Sequence, residues 1–234
     1  MIKNNMDIIR SHDVKGEARR VLTKLLEEER TCPILLMLSG GSAFSLLECV
    51  DEAVLGPHIT LTVLDERYTK DPAVHNFTQL TCTPFFERCL ARGVRNISTE
   101  ILEGETGDEG AQEWENALRA WKGEYPDGVI IATMGIGADG HTAGIFAGEY
   151  AVDFLGDAWV VSYHVSPKVS AYQDRITVTY TFLKTYVDEV IVYAEGKEKQ
   201  NIISMLDTKT CERAQYPACI LKEMHAVYVF SSPF

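Results

Sequence analysis

The 234-residue sequence contains no long apolar run: no stretch approaches the roughly 18 uninterrupted apolar residues of a membrane-spanning helix. Its opening, MIKNNMDIIRSHD, lacks the apolar segment of a secretory signal, so a cytoplasmic location is the expectation. Basic residues are scarce, 22 Lys and Arg against 34 Asp and Glu, giving a net charge of −12. That deficit argues against nucleic acid or an anionic membrane as partner, because both require a positive surface. The six cysteines, at positions 32, 49, 82, 89, 211 and 219, include no CxxC pair. Neither a zinc site nor a disulfide framework is signalled, and buried, reduced thiols are expected. GxSxG is missing, which removes the serine-nucleophile elbow.

What remains is a globular composition, 46% hydrophobic with 17 Gly and only 8 Pro. A chain of this length can bury a sizeable core, and a single α/β domain over residues 1–234 is expected. Strand-like and helix-like segments alternate. VKGEARRVLTKLLEEER (14–30) has helical spacing, PILLMLSGG (33–41) is a strand running into glycines, and SAFSLLECVDEA (42–53) has the look of a helix after a turn. HITLTVLDERY (58–68) is a second strand, and after a polar loop a helical stretch is expected through residue 93. EGAQEWENALRAWKGE (109–124) is an amphipathic helix and DGVIIATMGIG (127–137) a buried strand. AWVVSYHV (158–165), DRITVTY (174–180) and DEVIVYAEG (188–196) add strands, KEKQNIISMLD (197–207) a helix and HAVYVF (225–230) a last strand. The alternation predicts a mostly parallel central sheet with helices on both faces, and ligands in such sheets bind beyond the carboxyl ends of the strands.

Three polar clusters fall at predicted strand ends. In SGGS (39–42), Gly40 and Gly41 allow a tight bend and Ser42 can cap the next helix, whose free N–H groups suit a phosphate; a plain strand-to-helix turn fits the residues equally. In DER (65–67), Arg67 offers a planar fork to phosphate, or a salt bridge in a solvated loop. In the loop after it stand His75 and Asn76, the latter expected to cap a helix. Lys168 and Arg175, beside the start of a later strand, complete the candidates for a cationic pocket. The third cluster, GADGH (137–141), sets Asp139 two residues before His141 within a run of five glycines. A neutral imidazole takes a proton from water near neutral pH, and a neighbouring carboxylate fixes its tautomer. Gly140 between them is expected to clear the path of a substrate.

The segments LSGGS, LDERY with its downstream HN, MGIGADGHTAGIFAG, SPK…DRITVT and GKEKQNII, in this order, resemble 6-phosphogluconolactonases over roughly residues 14–222. The resemblance implies the Rossmann-like fold shared with sugar-phosphate isomerases and hydrolysis of 6-phospho-D-glucono-1,5-lactone to 6-phosphogluconate in the pentose phosphate pathway. It implies no cofactor and no metal, a phosphorylated sugar lactone as substrate, and a monomer or small homo-oligomer. By the same resemblance His141 is the general base, Asp139 its partner and Arg67 part of the lactone or phosphate site. Gly40, Gly41 and Ser42 would hold phosphate, with Lys168 and Arg175 as further anion contacts. The chain departs from the family pattern at Ala43-Phe44, where Thr-Pro is usual, at His75, where Ser is common, and at VSAYQ (169–173), where prolines follow the lysine. Two alternatives stand beside this reading. One is a glucosamine-6-phosphate deaminase-like isomerase, whose similar block carries a glutamate five residues after the histidine, where this chain has Phe146. The other is a catalytically silent sugar-phosphate-binding regulator.

Overall fold

The structure, a computed structural model, describes residues 5–148, 154, 156–207 and 211–233, apart from the side chains of Ser42 and Cys49. Seven strands form a central sheet in the order β1 (Met6–Arg10), β10 (Ala226–Ser231), β9 (Glu189–Ala194), β6 (Val129–Gly135), β2 (Ile34–Leu38), β3 (Ile59–Val63), β5 (Arg95–Asn96). All the pairings between them are parallel. Every residue of β2 and β3 is buried. Because successive side chains on a strand point to opposite faces, such strands must be covered on both sides. One cover is α1 (Val14–Glu28), capped by Asp13, which accepts from the Gly16 N–H, and burying Val14, Ala18, Leu22, Leu25 and Leu26 at helical spacing.

The strand order places a switch point between β2 and β6. From β2 the chain proceeds to β3 and β5 on one side; from β6 it proceeds to β9 and β10 on the other. The two carboxyl ends are tied where the Ser39 N–H donates to the Thr133 carbonyl at 3.1 Å. A crevice at this point is the expected place for a ligand.

A second sheet was not foreseen from the alternation. After Leu64 the chain leaves the central sheet, and β4 (Asp65–Arg67) pairs antiparallel with β8 (Asp174–Val178), which pairs antiparallel with β7 (Val160–His164). The helix α4 (Gly107–Glu124) starts with a Thr106–Glu109 capping box and docks on this sheet through Glu115, whose carboxylate accepts from the N–H groups of Trp159 and Val160.

Three further expectations are corrected. Residues Gly41–Cys49 form 3₁₀ turns rather than an α-helix; Gly40 stands at the cap position and has no side chain to offer the free N–H groups. The Ser42 side chain, the expected cap, lies outside the described residues. The long helical stretch after DER divides into α2 (Asn76–Thr81) and α3 (Pro84–Ala91), because Thr83 caps a new helix with Pro84 at its first position. His75, not Asn76, is the cap of α2, its ring nitrogen accepting from the Thr78 N–H. The remaining helices are α5 (Tyr180–Tyr186) and α6 (Gln200–Asp207).

The thiol expectation also changes. Cys89 is buried and its thiol is pushed up to about 12 by burial, but Cys82 is exposed and Cys211 is bonded to Cys219. The intervening chain turns back through a 3₁₀ segment at Pro217–Glu223, bringing the two Cα atoms to 5.6 Å, within disulfide reach. Closing so short a loop restrains the unfolded chain by about 2–3 kcal/mol. Dithiothreitol is therefore expected to lower the unfolding free energy of the wild type, read from urea titrations, by that amount and to leave Cys211→Ser unmoved. Free, alkylatable thiols at both positions in the unreduced protein would sink the pairing.

Candidate active site

A cavity of about 300 Å³ opens at the switch point. Its floor is the backbone of Ser39, Gly40 and Gly41 beyond β2 and of Gly135–Gly137 beyond β6, and its walls carry Asp65, Arg67, His141, Arg175 and Lys199. The three polar clusters of the sequence therefore converge on one space.

The loop from Gly135 to Gly148 carries Asp139 and His141. Glycines 135, 137 and 140 have GxGxxG spacing, the dinucleotide-binding pattern, but residues 138–148 form turns, so no helix starts at these glycines to receive a pyrophosphate. The loop closes on itself, with Gly137 N–H donating to the His141 carbonyl and Gly140 N–H to the Gly137 carbonyl, both at 2.9 Å. A Cβ on Gly137 would fall 2.1 Å from His141 Nδ1, so the residue must be glycine for the pair to form. Asp139 Oδ1 lies 2.6 Å from His141 Nδ1 and accepts its proton, which leaves Nε2 as the basic nitrogen. His141 lines the cavity; Asp139 sits behind it. Gly140 does not clear a substrate path. Its φ of +82° is the left-handed region, and a Cβ there would meet the Tyr216 ring at 2.8 Å.

On β4 the period of two sends Asp65 and Arg67 to the cavity and Glu66 to the opposite side. Arg67 is directly opposite Arg175 in the antiparallel register. Like charges in such positions repel, and Asp65 stands 3.9 Å from Arg175 to offset part of that repulsion. Burial raises the Asp65 carboxyl above its ordinary value, with Arg175, Arg67 and His141 opposing the shift. Burial likewise lowers Arg175, against the pull of Asp65. The two arginines differ in freedom. Arg175 donates from Nε to the Tyr172 carbonyl and from Nη2 to Ser170, holding the β7–β8 turn. Arg67 donates from Nη1 to the Val74 carbonyl, and its buried Nε has no partner among the described residues.

Lys168 is exposed on the β7–β8 turn and does not line the cavity. Lys199 does line it, at the end of the 3₁₀ turn that follows β9. Sequence reasoning passed over Lys199 although GKEK follows a strand end just as SGGS, DER and GADGH do. Asn76 also reaches the cavity wall, donating from Nδ2 to the Asp65 carbonyl at 2.9 Å. Among the described residues no group of three or more His, Cys, Asp or Glu side chains is placed to hold a metal ion.

The architecture is that of an α/β protein with its crevice at the switch point of a parallel sheet. Solved structures share it: a 6-phosphogluconolactonase from Leishmania guyanensis has a TM-score of 0.71 at 21% identity, covering 98% of this chain and 96% of that one. The corresponding values are 0.74, 21%, 98% and 96% for the Trypanosoma cruzi protein, and 0.74, 18%, 99% and 98% for that of Shewanella baltica. No curated protein matches the sequence significantly. The chain belongs to the glucosamine-6-phosphate isomerase/6-phosphogluconolactonase family, whose model matches residues 11–229.

Glu66, on the far side of β4, fastens the site from behind. It is 1% exposed, and its carboxylate accepts from the N–H groups of Arg67, Asn76 and Phe77 and from the Thr99 hydroxyl. Burial pushes its carboxyl up from 4.5 to about 7, against those N–H groups. A carboxyl raised on folding binds its proton more tightly in the folded state, so its contribution to stability grows as pH falls through the window between the two values. Relative to Glu66→Gln, the wild type is expected to gain about 3 kcal/mol of unfolding free energy between pH 7 and pH 4.5. Parallel urea titrations of the two proteins across that range check it; parallel pH curves would refute it.

Proposed function

We propose that the chain hydrolyses 6-phospho-D-glucono-1,5-lactone to 6-phosphogluconate with water activated by His141. The supporting observation is the Asp139–His141 pair at one wall of a small cavity whose other walls carry Arg67, Arg175 and Lys199. His141 Nε2 takes a proton from water as the oxygen attacks the lactone carbonyl. Asp139 holds the resulting imidazolium through Nδ1. Arg67, whose side chain lines the cavity, stabilises the oxyanion. Collapse of the tetrahedral intermediate breaks the ring C–O bond, and the imidazolium returns its proton to the leaving hydroxyl. General base catalysis supplies about 10²–10⁴-fold and an oxyanion donor a further factor of about 10²–10³.

The phosphate is assigned to the backbone of Gly40, Gly41 and Ser42 with Lys199, because Arg175 is already committed to the β7–β8 turn and to Asp65. Arg175 shapes the anion site and adds its charge to it; Lys168, on the exposed turn, contributes charge at longer range. Phe146 favours the lactonase reading over the isomerase one, since it has no proton to give to a sugar ring oxygen. The reading takes the chain as one domain acting without a cofactor.

The decisive measurement is acid release from freshly prepared lactone by the purified protein, against the spontaneous background; a well-folded protein that adds nothing to the background refutes the assignment. His141→Ala is expected to remove about 10²–10⁴-fold of kcat with the fold retained, since the ring lies on a surface loop. Asp139→Asn should be milder.

Lys199→Ala is expected to raise KM for the 6-phosphorylated lactone by about tenfold or more, the loss of one charged hydrogen bond, and to leave unphosphorylated gluconolactone nearly unaffected. Equal weakening of both lactones would show that Lys199 does not hold the phosphate.

A further inference from the structure

The Asp139–His141 hydrogen bond does not by itself fix the imidazole. Both side chains are partly open to solvent, 58% and 38% exposed, and a single ion pair in water is a weak restraint. A general base must nevertheless hold its nitrogen within hydrogen-bond reach of the attacking water. Something else has to hold the other face of the ring.

The chain immediately after His141 supplies it. Thr142 and Ile145 form an isolated antiparallel bridge, with the Ile145 N–H donating to the Thr142 carbonyl at 2.8 Å. The two residues between them, Ala143 and Gly144, both have positive φ, +48° and +64°. Two successive left-handed residues are what a type I′ turn requires, the tightest way to reverse a chain. Ala143 is the only non-glycine with positive φ among the described residues, so the conformation is held against local strain. Side chains from three elements hold it: Thr142 donates to the Gly135 carbonyl, Thr177 on β8 to that of Ala143, and Tyr163 on β7 to that of Gly144. With 142 paired to 145, the next opposed positions are 141 and 146. The Phe146 ring accordingly stacks on the His141 imidazole, centroids 4.6 Å apart and planes 28° from parallel. Phe146 is itself 6% exposed and lies against the Arg175 guanidinium, 5.3 Å from its centroid.

We propose that Phe146 is a positioning residue for the general base: the reversed turn at 142–145 exists to lay its ring on His141, so that Asp139 fixes one nitrogen while Phe146 fixes the ring plane. The role rests on the reading of His141 as the base. Phe146 also lines the cavity and lies against Arg175, but a phenyl ring exchanges no proton with water or leaving group, so in this role it acts by holding the imidazole. Loss of the ring therefore frees the imidazole to rotate, a misplacement that lowers kcat, while no hydrogen bond to the sugar or phosphate is lost because a phenyl ring makes none.

The test combines kinetics with NMR of the His141 ring. Phe146→Leu is expected to lower kcat about tenfold to a hundredfold with KM within about threefold, and Phe146→Tyr, which retains the stacked ring, to recover most of kcat. In the wild type the His141 carbon-bound protons should resonate upfield from ring current and show cross-relaxation to Phe146; in Phe146→Leu they should move to ordinary shifts. Cross-relaxation and upfield shifts absent from the wild type would overturn the proposal whether or not any variant folds. So would unchanged kcat in Phe146→Leu, or kcat and KM falling off together without rescue by tyrosine. Because the NMR arm needs no substrate, a protein that shows the stack but hydrolyses no lactone would refute the assigned reaction and leave the geometry standing.

Discussion

Leu64 joins the two sheets, and the site depends on that junction. Its N–H donates to the Leu38 carbonyl at 2.9 Å, as the last ladder bond of the parallel sheet, and its own carbonyl accepts from Val178 at 3.5 Å, beside the antiparallel pairing of β4 with β8. It is wholly buried, so both backbone groups must find partners within the protein. Once the chain has turned there, the alternation of a strand determines the next three residues: two toward the crevice, one toward the back. Glu66, sent backward, meets the N–H groups that begin α2 and fixes Asn76 against the Asp65 carbonyl. Asp65 and Arg67, sent forward, become the wall. One departure from a parallel sheet thus positions an acid, a cation and the loop behind them.

The same geometry answers how a chain of net charge −12 can host an anion. At physiological ionic strength the field of a distant carboxylate fades over roughly 8 Å, so the overall charge matters less than what lines the crevice. Arg67 and Arg175 are forced together by register, and Asp65 neutralises only part of their joint charge. Lys199 arrives from the end of β9, on the other flank. The backbone beyond β2 also lines the crevice, and unpaired peptide N–H groups at such a place suit an anion. Local positive density is therefore compatible with an acidic surface elsewhere.

How much of this could be read from the chain alone follows from which forces are local. Parallel strands buried on both faces read as apolar runs, and the clusters at their ends stand out because polar residues and glycines interrupt those runs. Asp139, His141 and Arg67 were legible for that reason. The second sheet was not, since the sequence HITLTVLDERY reads as one strand and the turn at Leu64 is imposed by partners more than a hundred residues away. Lys199 was missed because a lysine in GKEK looks like any solvated charge until β9 is placed beside β6. The Cys211–Cys219 pair was missed for a related reason: an eight-residue separation carries no motif, and only the return of the chain at Pro217 brings the sulfurs together.

The residue at 146 shows how one backbone can serve two chemistries. A reversed turn over 142–145 sets position 146 opposite His141, because the positions flanking the paired 142 and 145 face one another. A carboxyl group in that position, as in the isomerase-like block, would give the imidazole a partner for moving protons on and off a sugar ring. A phenyl ring offers no proton and excludes water from that face of the imidazole. If His141 is the base, as proposed, it then has one proton path, through Nε2 to the cavity, with Nδ1 held by Asp139. Activation of a single water needs no more than this, whereas moving a proton between two atoms of a sugar does. Under the proposed reading, the phenyl ring at 146 thus suits the site to hydrolysis rather than isomerisation.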